Sequence, residues 1–203
     1  MTTTNKIEVV TSDRTDNLLE QARSCQLCKD HLPFEPKPVV TGSASARLLI
    51  IGQAPGTRVQ KSGIPWNDPS GDRLRQWLGL DREQFYDSQH IAIMPMGFCY
   101  PGKGKSGDLP PRPECAPQWH NKIIATMPNI QTTLLIGQYA QKYYLDGKLT
   151  LTERVRHWQD YAPEYWVMPH PSPRNNLWLR RHPWFEQKLV PQLKNHVSRV
   201  LGF

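Results

Sequence analysis

No run in this sequence approaches the roughly 18 consecutive apolar residues of a membrane-spanning helix, so helical membrane proteins are excluded. The opening residues lack a basic stretch followed by an apolar one, and so lack an export signal; the expectation is a cytoplasmic protein with no membrane partner. Cysteine is scarce, four in 203 residues, and a chain of this length buries enough surface to fold without covalent staples. In a reducing compartment four thiols are metal ligands or small buried hydrophobes rather than two disulfides. Charged residues amount to only 21% against 38% hydrophobic ones, which excludes a disordered polyelectrolyte and a coiled coil. There is no internal repeat and no low-complexity tract. Acid is also in short supply, 18 Asp plus Glu against 25 Lys plus Arg, for a net charge of +7. A surface of that sign attracts polyanions, which makes nucleic acid the first partner to test and leaves an ordinary basic enzyme as the other reading.

What is present alternates. Short continuous apolar runs at 47–51, 91–94, 133–136 and 165–168 have the pattern of strands buried on both faces. Helical patterns lie between them at 69–79, 114–127, 139–145 and 152–158, with an earlier one from Asp16 and a last one from Pro183 that Pro191 should kink or break. The pattern predicts an α/β fold, a three-layer αβα sandwich on a four-stranded, mostly parallel sheet. Residues 1–15 are expected as a flexible tail and 16–203 as one domain, a monomer. In such sheets ligands bind beyond the carboxyl ends of the strands. Those ends carry Gly52-Gln-Ala-Pro-Gly56, Pro95, Gly137-Gln138 and His170-Pro-Ser-Pro-Arg-Asn175. Two nucleotide motifs can be set aside. Gly104-Lys-Ser106 lacks the upstream Gly and following helix of a phosphate loop, and Gly52 to Gly56 lacks the dinucleotide register.

The turn after the first strand puts Gln53 at the sheet edge, and the prolines around Ser172 fix the backbone that carries His170. Together these segments resemble the two signature motifs of the uracil-DNA glycosylase superfamily. The first is similar to the family 4 form, which carries Glu where this chain has Gln53. The second is similar to that of the single-strand-selective and family 1 enzymes. Gly63-Ile-Pro-Trp-Asn-Asp-Pro-Ser-Gly71 is similar to the superfamily segment whose aromatic residue stacks on the extruded base, here Trp66. Where family 4 has an Asn that recognises uracil, this chain has Pro95.

The resemblance implies a DNA glycosylase acting on single-stranded or duplex DNA with a deaminated base. His170, Gln53 and Asp68 are then the catalytic candidates, and Gly52, Ala54, Trp66 and Asn67 the base-binding ones. Ser172, Pro173, Arg174 and Asn175 would meet the DNA backbone, joined by Lys103, Lys105 and Arg112 from the long 100–113 loop. Each residue has a plainer reading: Trp66 as core, Asp68 before Pro69 as a helix N-cap, His170 as loop architecture. Cys25 and Cys28, then Cys99 and Cys115, resemble the spacing by which family 4 holds a 4Fe-4S cluster, with structural zinc or free thiols as alternatives. A non-catalytic or base-capturing nucleic-acid binder on the same fold is the rival function.

Overall fold

The computed structural model describes the backbone of residues 3–202 and the side chains of residues 11–202. Four strands, β1 (Leu48–Ile51), β2 (Ile91–Ile93), β3 (Thr132–Ile136) and β4 (Tyr165–Met168), form one sheet in the order β2-β1-β3-β4. Every pairing is parallel: Leu48 lies opposite both Ile91 and Thr132, and Thr133 opposite Tyr165. The outer edge of β2 is partly covered by an isolated antiparallel bridge between Thr41 and Ile93.

Nine α-helices surround the sheet among the described residues. In chain order they are α1 (Thr3–Arg23), α2 (Thr57–Ser62), α3 (Pro69–Leu78), α4 (Arg82–Tyr86) and α5 (Cys115–Ile124). Then follow α6 (Gln138–Tyr144), α7 (Leu151–Arg156), α8 (Asn176–Arg181) and α9 (Val190–Leu201). Because side chains alternate across a strand, Leu48, Ile50, Ile93 and Ile136 face a core completed by Leu74 and Trp77 of α3 and Leu193 and Val197 of α9. Leu49, Ile51, Ala92 and Leu135 face the opposite core, with Leu19 of α1 and Trp119 and Ile123 of α5. Two cores on one sheet make the three-layer sandwich.

Two expectations need correction. Residues 3–15, expected as part of a flexible tail over 1–15, are helical, and residues 1–2 lie outside the described residues. Thr15 is fully buried, its hydroxyl 2.9 Å from the Thr11 and Thr126 carbonyl oxygens, and Leu19 and Ala22 continue that face into the core. Polar, β-branched residues hid this helix because its stability comes from packing rather than propensity. Pro191 does not break the last helix: the chain widens into a π-turn over Phe185–Leu189, and Pro191 falls in the first turn of α9, where its missing N–H costs little.

Among the described residues Arg154 is the most deeply buried arginine or lysine, 1% exposed, and no carboxylate there meets it. Its guanidinium instead donates to the carbonyls of Gln141, Leu145, Asp146, Gly147 and Leu149, closing the carboxyl end of α6 and the turn after it. Replacing it leaves those acceptors without partners, and each unsatisfied buried group costs on the order of 1–3 kcal/mol. Arg154→Met should lower unfolding stability by about 3 kcal/mol or more in urea titrations; a loss under about 1 kcal/mol would mean water takes over those carbonyls.

Candidate active site

Parallel pairing brings all four strand ends to one edge, where they feed a cleft of about 720 Å³. Gly52-Gln53-Ala54-Pro55-Gly56 enters it after β1, Pro95 after β2, Gln138 and Tyr139 after β3, and His170 after β4. The chain leaves β1 toward β2 and returns to β3 on the other side, so the cleft opens where the strand order reverses. Below it, fully buried His120 lies with Nε2 3.1 Å from the Pro95 carbonyl and Nδ1 against the Tyr144 hydroxyl. The carbonyl can only accept, so Nε2 carries the proton and Nδ1 accepts from Tyr144. Burial holds the His120 pKa down at about 4, so this relay is neutral.

Trp66 forms one wall. It is the only described residue other than glycine with positive φ, at 55°, a conformation that bulky side chains avoid and that clusters at functional sites. Close packing enforces it. A Cβ on Gly52 would stand 2.7 Å from the indole, and one on Gly71 would stand 1.7 Å from the Trp66 carbonyl oxygen. Arg75, buried in α3, reaches that carbonyl and the Tyr86 hydroxyl, and Tyr86 in turn donates to the Pro65 carbonyl at 2.7 Å. Asp68 caps α3, its Oδ1 accepting the Gly71 N–H at 2.9 Å, with Pro69 in the first turn. It also lines the cleft.

His170 stands against this wall, ring centroids 5.4 Å from Trp66. Burial drives its pKa down to about 4; the Asp68 charge pulls it up and Arg174 pushes it down. The imidazole is therefore neutral at pH 7. The Ser172 N–H donates to Nδ1 at 3.2 Å, which places the one ring proton on Nε2, a donor facing the cleft. The loop that carries it is pinned twice more. Asn175 donates to the His170 carbonyl at 2.7 Å, and Arg73 of α3 reaches the Pro171 and Ser172 carbonyls.

The remaining candidates divide. Ala54, Ser172, Pro173, Arg174 and Asn175 line the cleft. The Ser172 hydroxyl accepts the Arg174 N–H, and the Arg174 guanidinium lies against Gly107 of the opposite loop. Gln53 turns its amide to the Leu109 carbonyl at 3.3 Å. Asn67 is not brought in; it accepts from Arg82 on α4 instead. Lys103 and Lys105 stand exposed on the loop without lining the cleft. Arg112 is paired with Glu114 and so is not a free phosphate ligand.

Cys25, Cys28, Cys99 and Cys115 line a second, separate pocket with Leu32, Phe98 and Trp119. All four are free thiols. Burial pushes Cys99 up to about 11 and Cys115 to about 12, with repulsion among the sulfurs adding to it. Thiolates there need a cationic partner, and the donor set suits an iron-sulfur group. Among the described residues, no set of three His, Cys, Asp or Glu side chains is arranged to hold a metal ion.

The family model for the uracil DNA glycosylase superfamily matches residues 39–194. The chain belongs to that superfamily. Its relatives include a type-4 uracil-DNA glycosylase of Sulfurisphaera tokodaii, 27% identical over 64% of this chain and 58% of the relative. Proteins of the same name from Thermotoga maritima and Saccharolobus solfataricus are 25% and 26% identical, over 68% and 79% of this chain and 69% and 76% of theirs. The superfamily match spans both cleft motifs and two of the cysteines, Cys99 and Cys115.

Within this superfamily chain, Arg73, Arg75, Tyr86, His120 and Tyr144 support the site although no motif marks them. Arg73, Arg75, Tyr86 and His120 each donate to a backbone carbonyl, Arg75 also reaches Tyr86, and Tyr144 acts through His120. Two neutral imidazoles, fully buried His120 and half-buried His170, also make stability depend on pH. Unfolded, both titrate near 6.5; folded, both are held at about 4. Between those values the unfolded chain binds more protons, so stability falls with acid by on the order of 1.4 kcal/mol per pH unit for each ring. Denaturant midpoints should drop steadily from pH 6.5 toward pH 4.5, and a flat profile there would contradict the lowered pKa of both rings.

Proposed function

We propose that this protein is a DNA glycosylase that hydrolyses the N-glycosidic bond of uracil or another deaminated base in DNA. The observation that carries this reading is the neutral His170 imidazole, tied through Nδ1 and offering Nε2–H to the cleft beside Trp66. The bond is out of reach inside a base stack, so the nucleotide must be extruded, at a cost of a few kcal/mol. Trp66 would stack on the extruded base, with Gly52 and Ala54 close beneath it. As the bond breaks, negative charge grows on the base, and the Nε2–H of His170 stabilises it. Asp68 contributes a negative charge beside His170 that favours a cationic sugar, while its Oδ1 holds the helix cap. Ser172 and Arg174 would meet flanking phosphates, and the +7 surface adds attraction independent of sequence. Pro95 brings no side-chain donor or acceptor to the cleft, so base choice falls to its neighbours.

We infer that Cys25, Cys28, Cys99 and Cys115, four free thiols lining one pocket, would hold a 4Fe-4S cluster. Such a group supplies a cross-link between distant segments and takes no part in bond cleavage. Anaerobically purified protein should be brown, with broad absorption near about 400 nm. Colourless protein with one zinc would replace the cluster by a structural ion, and metal-free protein with four titratable thiols would exclude both.

The test of the reaction uses oligonucleotides containing uracil, hypoxanthine or xanthine, single-stranded and duplex, followed by alkaline cleavage of abasic sites. His170→Ala should keep the fold and DNA affinity and lower single-turnover excision by about 100-fold or more, the scale of losing one positioned donor. A loss under about threefold would assign His170 to loop architecture. Tight binding by the wild-type protein without any abasic product would favour base capture instead.

A further inference from the structure

Hydrolysis needs a proton acceptor beside the attacking water, and His170 and Trp66 serve the base rather than the water. Of the side chains lining the cleft, only Asp68 and Asp108 are carboxylates. Asp68 has Oδ1 committed to the Gly71 N–H. The Asp108 carboxylate has no hydrogen-bond or ion-pair partner among the described residues.

Its placement is built by the backbone. Residues 102–109 fold back on themselves through a bridge between Lys103 and Asp108, with Gly104 N–H donating to Gly107 and Leu109 N–H to Gly102. This hairpin spans the cleft: Gly107 meets the Arg174 guanidinium at one side, and the Leu109 carbonyl accepts from Gln53 at the other. Between those anchors, Asp108 Oδ2 stands over the first motif, 3.6 Å from where a Gly56 Cβ would be. A solvated loop carboxylate has no need of two anchors onto the two motifs. An acid that faces a polyanion's binding cleft also weakens binding, a cost that a role in the reaction offsets.

We propose that Asp108 is a catalytic residue, the carboxylate that orients and deprotonates the attacking water, and that Gln53 is the positioning residue holding its hairpin in the cleft. This rests on the glycosylase reading. The water oxygen bonds to C1′ as the C1′–N electron pair leaves with the base. One water proton passes to Asp108 and on to solvent, and the departed base takes a proton from solvent. Gln53 suits its post because an amide can donate to the Leu109 carbonyl, whereas a carboxylate there would face another oxygen.

The experiment measures single-turnover release of uracil from a single-stranded oligonucleotide. Affinity is measured in parallel for the same oligonucleotide with cleavage-resistant 2′-fluoro-2′-deoxyuridine. Asp108 is exposed, so Asp108→Asn should fold normally; it should slow release by about 100-fold and leave affinity within about threefold. Gln53→Ala should slow release by about tenfold through displacement of the hairpin. Gln53→Glu alone should also slow it, yet added to Asp108→Asn it should restore at least about tenfold, because it returns a carboxylate beside the vacated position. A merely structural Asp108 predicts no such rescue. Release unchanged in Asp108→Asn, or a loss that Gln53→Glu fails to recover, overturns the proposal while wild-type release leaves the glycosylase reading standing. Wild-type protein that frees no base overturns both.

Discussion

Trp66 is held in a left-handed backbone conformation by contacts from three directions, and the chemistry of the cleft follows from that constraint. Gly52 lets the indole approach the first motif, Gly71 lets α3 pass beneath the Trp66 carbonyl, and Arg75 donates to that same carbonyl. A bulky residue with positive φ costs on the order of 1–3 kcal/mol and persists only when its surroundings over-determine it. Here they do, and the indole becomes a fixed wall. His170 packs on that wall, and its desolvation there keeps the ring uncharged at neutral pH.

An uncharged donor suits a reaction in which charge appears only as the bond breaks. A protonated imidazole in this setting would be costly to bury and would also bind the neutral ground state. A neutral N–H already aimed by Ser172 needs no reorganisation at the moment of reaction. The same logic recurs beneath the cleft, where Tyr144 and the Pro95 carbonyl fix the His120 tautomer and leave no titrating proton at working pH. Both rings are specified by what their other nitrogen meets, which is a backbone group in His170 and a backbone group with a phenol in His120.

The strands and their exits could be read from the sequence because burial on both faces leaves continuous apolar runs, and a parallel sheet collects its exits at one edge. That reading brought His170, Trp66, Gln53 and Asp68 to one cleft, where the structure has them. It failed where the partner is backbone. Gln53 reads as a catalytic candidate and in fact donates to the Leu109 carbonyl; Arg73 and Arg75, which no motif marks, donate to carbonyls of the two site loops. A carbonyl has no letter in a sequence, so these bonds leave no pattern. Asn67 failed for another reason: its neighbour in the motif points into the cleft, but one residue along the turn reaches Arg82 instead. Thr15 was misplaced because a single buried threonine, bonded to a carbonyl 111 residues away, carries no periodic signal.

The two pockets are less independent than their separation suggests, because three successive residues connect them. The N–H groups of Met96 and Gly97 donate to the carbonyls of Gly52 and Gln53, and the next one, of Phe98, donates to the Cys115 sulfur at 3.3 Å. Residues 96–98 thus bind the cleft motif and the thiol pocket in one short stretch of chain. Beyond Cys99 the chain supplies the 102–109 hairpin that crosses the cleft, and at Cys115 it is fixed again as α5 begins. A loop whose two ends are joined by the bond from the Phe98 N–H to the buried Cys115 sulfur loses less entropy when it orders over a substrate than a free loop of the same length. The cysteine pocket therefore bears on the reaction through the loop's freedom and the position of the first motif. That dependence requires no contact between the sulfurs and the reacting base.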